Sequence, residues 1–241
     1  MTKKPSRDHF MLKEQYKVES EVFDRETLKS LAKLIKKGII SSVDFPISTG
    51  KEANVFRATS QNGEHVVIKI YKIETTPFFR REEYLEGDPR FEKIKNNSKD
   101  VIIAFARKEY KNLQICESAG VHAPKPFYVE KNVLVMSLIG DKDLPYPTMN
   151  TQGPRNADDL EILLQDIKKM YKAGLVHADL SEYNIILGEI LYLIDFGQGV
   201  VTKHPNAEKF LERDVRNILN YFAKFGYKKD FDETIKWIRL K

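Results

Sequence analysis

The chain has 241 residues, of which 41% are hydrophobic and 31% charged, and it carries a net charge of +5. That is enough apolar material for one large domain or two small lobes with a core each, and no run approaches the roughly 18–20 apolar residues that cross a membrane. A single cysteine, Cys116, excludes an intrachain disulfide and points to a reducing, cytoplasmic setting, and the basic start of the chain has no apolar stretch behind it to make a secretory signal.

The charge is uneven. Residues 1–40 and 202–241 each hold 10 Lys or Arg against 6 Asp or Glu, whereas 41–201 hold 20 against 23. Basic ends fit either a solvated helix surface or a patch that meets nucleic acid or a ribonucleoprotein. No Arg-Gly repeat or zinc-ligand spacing adds to the second reading.

In chain order, residues 24–37 read as a helix, with Asp24 as N-cap, a stripe of Leu28, Leu31, Leu34 and Ile35, and Gly38 as the stop. Three strands follow at 39–47, 55–59 and 65–71, the last two joined by Gln61-Asn62-Gly63. The stretch 74–100 is polar and broken by Pro77, Gly87-Asp88-Pro89 and Asn96-Asn97-Ser98, which predicts a mobile loop. A helix over 101–119 closes at Gly120, and a hairpin pairs 127–129 with 133–137 across Lys131-Asn132. Residues 141–156 read as a linker, 156–173 as a helix capped by Asn156, 175–176, 185–187 and 191–194 as short strands, and 207–224 and 231–239 as helices. This order predicts an α+β fold of two lobes: a helical segment 1–38, a sheet-rich N-lobe 39–137, and a mostly helical C-lobe 138–241, with a cleft at the junction near 137–140.

The chemistry-bearing signal is His177-Ala178-Asp179-Leu180-Ser181-Glu182-Tyr183-Asn184, followed across two short strands by Leu193-Ile194-Asp195-Phe196-Gly197. Phosphoryl transfer needs a carboxylate beside the attacking hydroxyl and oxygen ligands for Mg²⁺ at the phosphates. Asp179 and Asn184 share one loop, Asp195 ends the next hairpin, and the order is that of a kinase catalytic loop and Asp-Phe-Gly motif, with Ala178 in place of the usual arginine.

Lys69 lies inside the apolar run Val66-Val67-Ile68-Lys69-Ile70, as an edge lysine facing water or as a ligand of the ATP phosphates. Glu109 falls in the helical stripe of Ile102, Ala106, Leu113 and Cys116. A carboxylate there needs a partner, and the candidates are Lys69 or, at the stripe's edge, Arg107 or Lys108 of its own helix; Glu92 and Glu117 sit outside the stripe. Between the first two strands, Ser48-Thr49-Gly50-Lys51-Glu52-Ala53-Asn54-Val55 occupies the place of a phosphate-binding loop but holds one glycine and is no Walker A sequence. It reads as a phosphate cradle of hydroxyls and backbone N–H groups or as a plain hairpin turn.

Together the 48–55 loop, the 177–184 loop and Ile194-Asp195-Phe196-Gly197-Gln198 resemble the RIO atypical protein kinases, type-one branch, from about residue 20 onward. The resemblance implies a minimal two-lobed kinase fold with ATP and Mg²⁺ (or Mn²⁺). Asp179 would be the base, Asn184 and Asp195 the metal ligands and Lys69 the phosphate ligand paired with Glu109. Ser48, Thr49, Gly50, Lys51, Glu52, Ala53 and Val55 would surround the phosphates, and Met136, Ser137 and Ile139 the adenine. The hinge has Ser137 where relatives often carry an acidic residue, a departure that backbone contacts tolerate. The resemblance further implies serine phosphorylation, often of the kinase itself, with Thr75, Thr76 and Ser98 as candidates. It also implies a role in small-subunit maturation with a pre-30S ribonucleoprotein as partner, and in some members ATP hydrolysis through a phosphorylated aspartate, here Asp195. About ten residues separate Gly197 from the next helix and no Ala-Pro-Glu follows, so no extended activation loop or peptide platform is expected. A kinase and an ATPase switch stay open; a pseudokinase is disfavoured because Lys69, Asp179, Asn184 and Asp195 are all present.

Overall fold

The computed structural model describes residues 23–72, 84, 87–88, 90, 98–141 and 144–240. Thr75, Thr76, Glu92 and most of the predicted mobile loop lie outside these. Helix α1 (Arg25–Lys36) starts where the Asp24 carboxylate accepts the N–H groups of Glu26 and Thr27 at 2.8 and 2.9 Å. It stops at Gly38, whose φ of +70° lets Ile39 N–H turn back to Leu34 O.

Five antiparallel strands form one sheet in the order β1-β2-β3-β5-β4: β1 (Ser42–Thr49), β2 (Ala53–Thr59), β3 (His65–Tyr71), β4 (Pro126–Glu130) and β5 (Val133–Ser137). Strand β1 begins three residues later than the apolar run suggested and shifts register on both sides of Pro46, which an edge strand tolerates because the missing N–H faces no ladder.

The two-residue period of β3 decides where Lys69 points. Val66, Ile68 and Ile70 pack with Leu31 and Leu34 of α1, in a core on one face of the sheet. Val67, Lys69 and Tyr71 point the other way, into the cleft. β3 is central, between β2 and β5, so the edge-strand reading of Lys69 does not hold.

Helix α2 (Ser98–Ala119) starts three residues earlier than expected and takes in Ser98. It bridges two cores: Val101, Ile102, Phe105 and Ala106 pack on Ala53 and Tyr71, while Leu113 and Cys116 enter the core of the C-lobe. That second core gathers α4 (Asp158–Lys172), the pairs β6–β9 (Leu175–Val176, Val200–Val201) and β7–β8 (Ile185–Leu187, Leu191–Leu193), and α5 (Ala207–Ala223) and α6 (Phe231–Arg239). The predicted 141–156 linker holds a short helix, α3 (Met149–Gln152), because Met149 is wholly buried and its carbonyl accepts the Tyr221 hydroxyl at 2.8 Å. Asn156 caps from one position further out than expected: Ala157 is the N-cap of α4, while the Asn156 side chain accepts Asp158 N–H at 2.9 Å. At the lobe junction Gly140 pairs with Pro145 so closely that a Cβ would sit 2.2 Å from Leu144 O; no other residue fits there. No described helix is long and apolar enough to cross a membrane.

Candidate active site

A cavity of about 610 Å³ opens between the lobes. Ser48, Gly50, Lys51, Glu52, Ala53 and Val55 line its roof, Met136, Ser137 and Ile139 its rear, and Lys69, Glu109, Asp179, Asn184 and Asp195 its floor and side. Thr49 is not among the lining residues. It pairs with Asn54 at the end of β1, and its exposed side chain leaves the cradle to its neighbours. The turn itself is closed by Gly50 N–H to Ala53 O at 2.9 Å and by Lys72 Nζ to Gly50 O at 2.6 Å.

Lys69 is the centre of charge. Its Nζ donates to Glu109 Oε1 at 2.9 Å and to Asp195 Oδ1 at 2.8 Å. Burial alone would push the ammonium down, but Asp195 and Glu109 outweigh it and hold Lys69 well above its usual value. Burial raises Glu109, which is 1% exposed and also accepts the Tyr71 hydroxyl. Of the alternative partners for Glu109, Arg107 is exposed and Lys108 turns away to donate to Gln198 O at 3.1 Å. Burial pushes Lys108 down to about 7. Glu117 bridges to Lys125 at 3.4 Å on the surface.

Asp195 has φ +64° and Ala178 φ +65°, uncommon for residues with a Cβ and a mark of backbone held by its surroundings. The surroundings can be named. Ala178 N–H and Leu180 N–H both donate to the buried Asp214 of α5, at 2.7 and 3.0 Å. Arg213 donates to Ala178 O, and Asn217 to Leu180 O at 3.2 Å. His177, wholly buried, contacts Ile194 O through Nε2 at 3.0 Å, and burial lowers it to about 4, so it stays neutral and joins the two motif loops. Asp179 therefore stands on a loop suspended from α5. Burial, with Asp195 and Glu52 adding and Arg213 opposing, lifts its carboxyl to about 6.

The metal ligands implied for the site are consistent with a hard cation. Asn184 Nδ2 donates to Asp179 O at 2.8 Å, which turns its carbonyl oxygen the other way, and the Asp195 side chain is half exposed to the cleft while Lys69 holds its carboxyl below the usual range. Two oxygen donors beside this cavity suit Mg²⁺ or Mn²⁺, which complete their shells with phosphate and water. Among the described residues no cluster of His, Cys, Asp or Glu offers a protein-only metal cage.

Sequence reading missed Arg213, Asp214 and Asn217, although Asp214 falls in the α5 stripe of Phe210, Leu211, Val215 and Ile218, the same signal that singled out Glu109. It also missed Tyr71 and Asn112, which carry no motif.

The class that this fold and cleft define is the protein kinase: an antiparallel N-lobe, a helical C-lobe, and a lysine–glutamate pair facing two motif loops. The chain belongs to the RIO family, in its Rio1 branch, since residues 54–234 match the RIO1 family model, described as RIO domain. It is 44% identical over 230 residues to the RIO-type serine/threonine-protein kinase Rio1 of Haloferax volcanii, covering 93% of this chain and 78% of that protein. It is 41% identical over 194 residues to the Rio1 of Thermoplasma acidophilum, covering 78% of this chain and 100% of that one. The human serine/threonine-protein kinase RIO1 is 39% identical, over 85% of this chain but only 37% of its own length. In fold, the chain is similar to the crystal structure of the Rio2 kinase–ADP/Mg²⁺–phosphoaspartate complex from Chaetomium thermophilum. The TM-score is 0.63 and the identity 23%, over 86% of this chain and 64% of that one.

Proposed function

We propose that the chain transfers the γ-phosphoryl group of ATP, with Mg²⁺ or Mn²⁺, to serine or threonine hydroxyls of protein, its own included. The observation that carries this reading is the convergence of Lys69, Asp195, Asn184 and Asp179 on one cleft. Lys69 would hold the α- and β-phosphates, kept in place by Glu109. Asn184 and Asp195 would hold the metal, which would supply positive charge against the phosphates. Asp179 would orient the attacking hydroxyl and take its proton late in the transfer. Adenine would take the Ile139 N–H and the Ser137 carbonyl. The Ser137 N–H already donates to Lys125 O at 2.9 Å and the Ile139 carbonyl accepts Tyr146 N–H at 3.1 Å. The Ser137 hydroxyl accepts Lys125 N–H at 2.9 Å, which gives the hinge serine a structural task.

A second reading, an ATPase switch, has one observation of its own. The Asp195 carboxylate is half exposed to the cleft and one oxygen is held by Lys69, so the other could receive a phosphoryl group. With the basic ends of the chain, either activity fits work on a small-subunit precursor, a pre-30S ribonucleoprotein. Incubation with that precursor and labelled ATP, following phosphate release and protein labelling side by side, tests both. Hydroxylamine-resistant label on serine or threonine supports the kinase, hydroxylamine-sensitive label lost in Asp195→Asn supports the switch, and neither signal in the wild type removes both.

A further inference from the structure

Helix α2 buries two polar side chains besides Glu109: Lys108 and Asn112, each 0% exposed. Both face the loop that follows Asp195. Asn112 Nδ2 donates to Phe196 O at 2.9 Å and to Gly199 O at 2.8 Å, and Lys108 takes Gln198 O at 3.1 Å. The loop is packed so closely that a Cβ on Gly199 would lie 2.8 Å from Asn112 Nδ2.

Asn112 is itself oriented. Arg90 Nη1 donates to Asn112 Oδ1 at 2.8 Å, which leaves the amide nitrogen facing the loop. Arg90 is in turn gripped by the fully buried Asp88, through Nε at 2.9 Å and Nη2 at 2.7 Å. Tyr84 and Gly87, described residues near Arg90, rest on the C-lobe. The Tyr84 ring stacks on Phe210 with centroids 5.3 Å apart, and Gly87 abuts Pro205. A chain of bonds thus runs from Asp88 through Arg90 and Asn112 to the carbonyls next to Asp195.

We propose that Arg90 and Asn112 are positioning residues for metal-dependent nucleotide binding: they fix the 196–199 backbone so that Asp195 keeps its left-handed conformation and its aim into the cleft. The proposal rests on reading Asp195 as a metal ligand. Neither residue touches the cleft, so neither contributes to binding directly. Their effect on the metal runs through backbone carbonyls, as outer partners of metal ligands act elsewhere.

The test is nucleotide affinity as a function of Mg²⁺ in the full chain, beside adenosine affinity without metal and thermal melting. Arg90→Ala and Asn112→Asp are compared with the wild type; the aspartate keeps its bond to Arg90 but presents oxygen to the loop carbonyls. The expected result is a rise of roughly 10- to 100-fold in half-saturating Mg²⁺ for both variants, with adenosine affinity unchanged and Arg90→Lys recovering part of the loss. An unchanged Mg²⁺ requirement in folded Arg90→Ala overturns the proposal while leaving the kinase reading intact. An equal loss of adenosine affinity also overturns it, because that means general collapse of the cleft. Wild-type protein that binds nucleotide without regard to metal overturns both.

Discussion

Each lobe holds the site with one buried carboxylate, and the two are used differently. Glu109, in the helix that packs under the sheet, meets the Lys69 ammonium, a side-chain cation that would touch the nucleotide. Asp214, in α5, meets two backbone N–H groups of the catalytic loop and never faces the cleft. Burial raises both, Asp214 to about 7 in spite of its two amide donors. The difference teaches that the Lys69–Glu109–Asp195 half of this site is held by charge on side chains, and the catalytic-loop half by backbone bonded to α5. Failures of the first half should therefore appear as altered nucleotide and metal binding, and failures of the second as slow chemistry.

The sharpest way to break that division is to neutralise the two cleft aspartates separately. Asp179→Asn keeps the shape and removes the base, so turnover should fall by roughly 10²- to 10⁴-fold with Mg·ATP affinity near normal. Asp195→Asn should lose both. Equal loss of Mg·ATP affinity in the two, measured by titration, would show that the division between base and metal ligand is wrong.

Removing Lys69 comes next. Lys69→Met leaves Glu109 buried without its cation, at a cost of about 3–5 kcal/mol in denaturant melts, and turnover falls by orders of magnitude. Adding Glu109→Gln should restore most of the stability and none of the turnover. A double variant as unstable as Lys69→Met would mean that Glu109 is held by Tyr71 rather than by the ion pair.

Asp214→Asn keeps one acceptor and leaves one catalytic-loop N–H unsatisfied, worth about 1–3 kcal/mol. Turnover should drop while Mg·ATP affinity holds, because the Asp195 loop hangs from α2 instead. A selective loss of metal-dependent binding in this variant would erase the contrast between the lobes.

The smallest effect is on pH dependence. Asp179 must be ionised to act as a base, and its carboxyl stands raised at about 6. The kcat/KM of the free enzyme should fall as pH drops through that value and level off above it. Glu52 contributes to the rise, so Glu52→Gln should move the midpoint to lower pH. A midpoint that stays put would remove Glu52 from the electrostatics of the base.

Much of the site was legible because its members carry their own signals. Asp179, Asn184 and Asp195 stand at motif spacing, and Glu109 breaks an apolar stripe in a way that demands a cation. Asp214 breaks a stripe just as plainly. Its partners are backbone N–H groups, which every residue possesses, so nothing in the sequence singles out where they lie. Arg90 and Asn112 were illegible for a related reason. A polar side chain that binds carbonyls leaves no complementary residue to find, and Arg90 stands in a stretch whose breakers read as loop.

The sequence by itself determined the elements and their order, because hydrophobic period, caps and turn residues act over a few neighbouring positions. It also singled out candidate groups for phosphate chemistry, since that chemistry admits few residue types. Only the tertiary structure decided that Lys69 also bonds Asp195, what suspends the catalytic loop and what braces the Asp195 loop. These depend on contacts across 22 to 126 residues of chain. Packing of α2 and α5 against the two loops selects such contacts, and no local pattern encodes them.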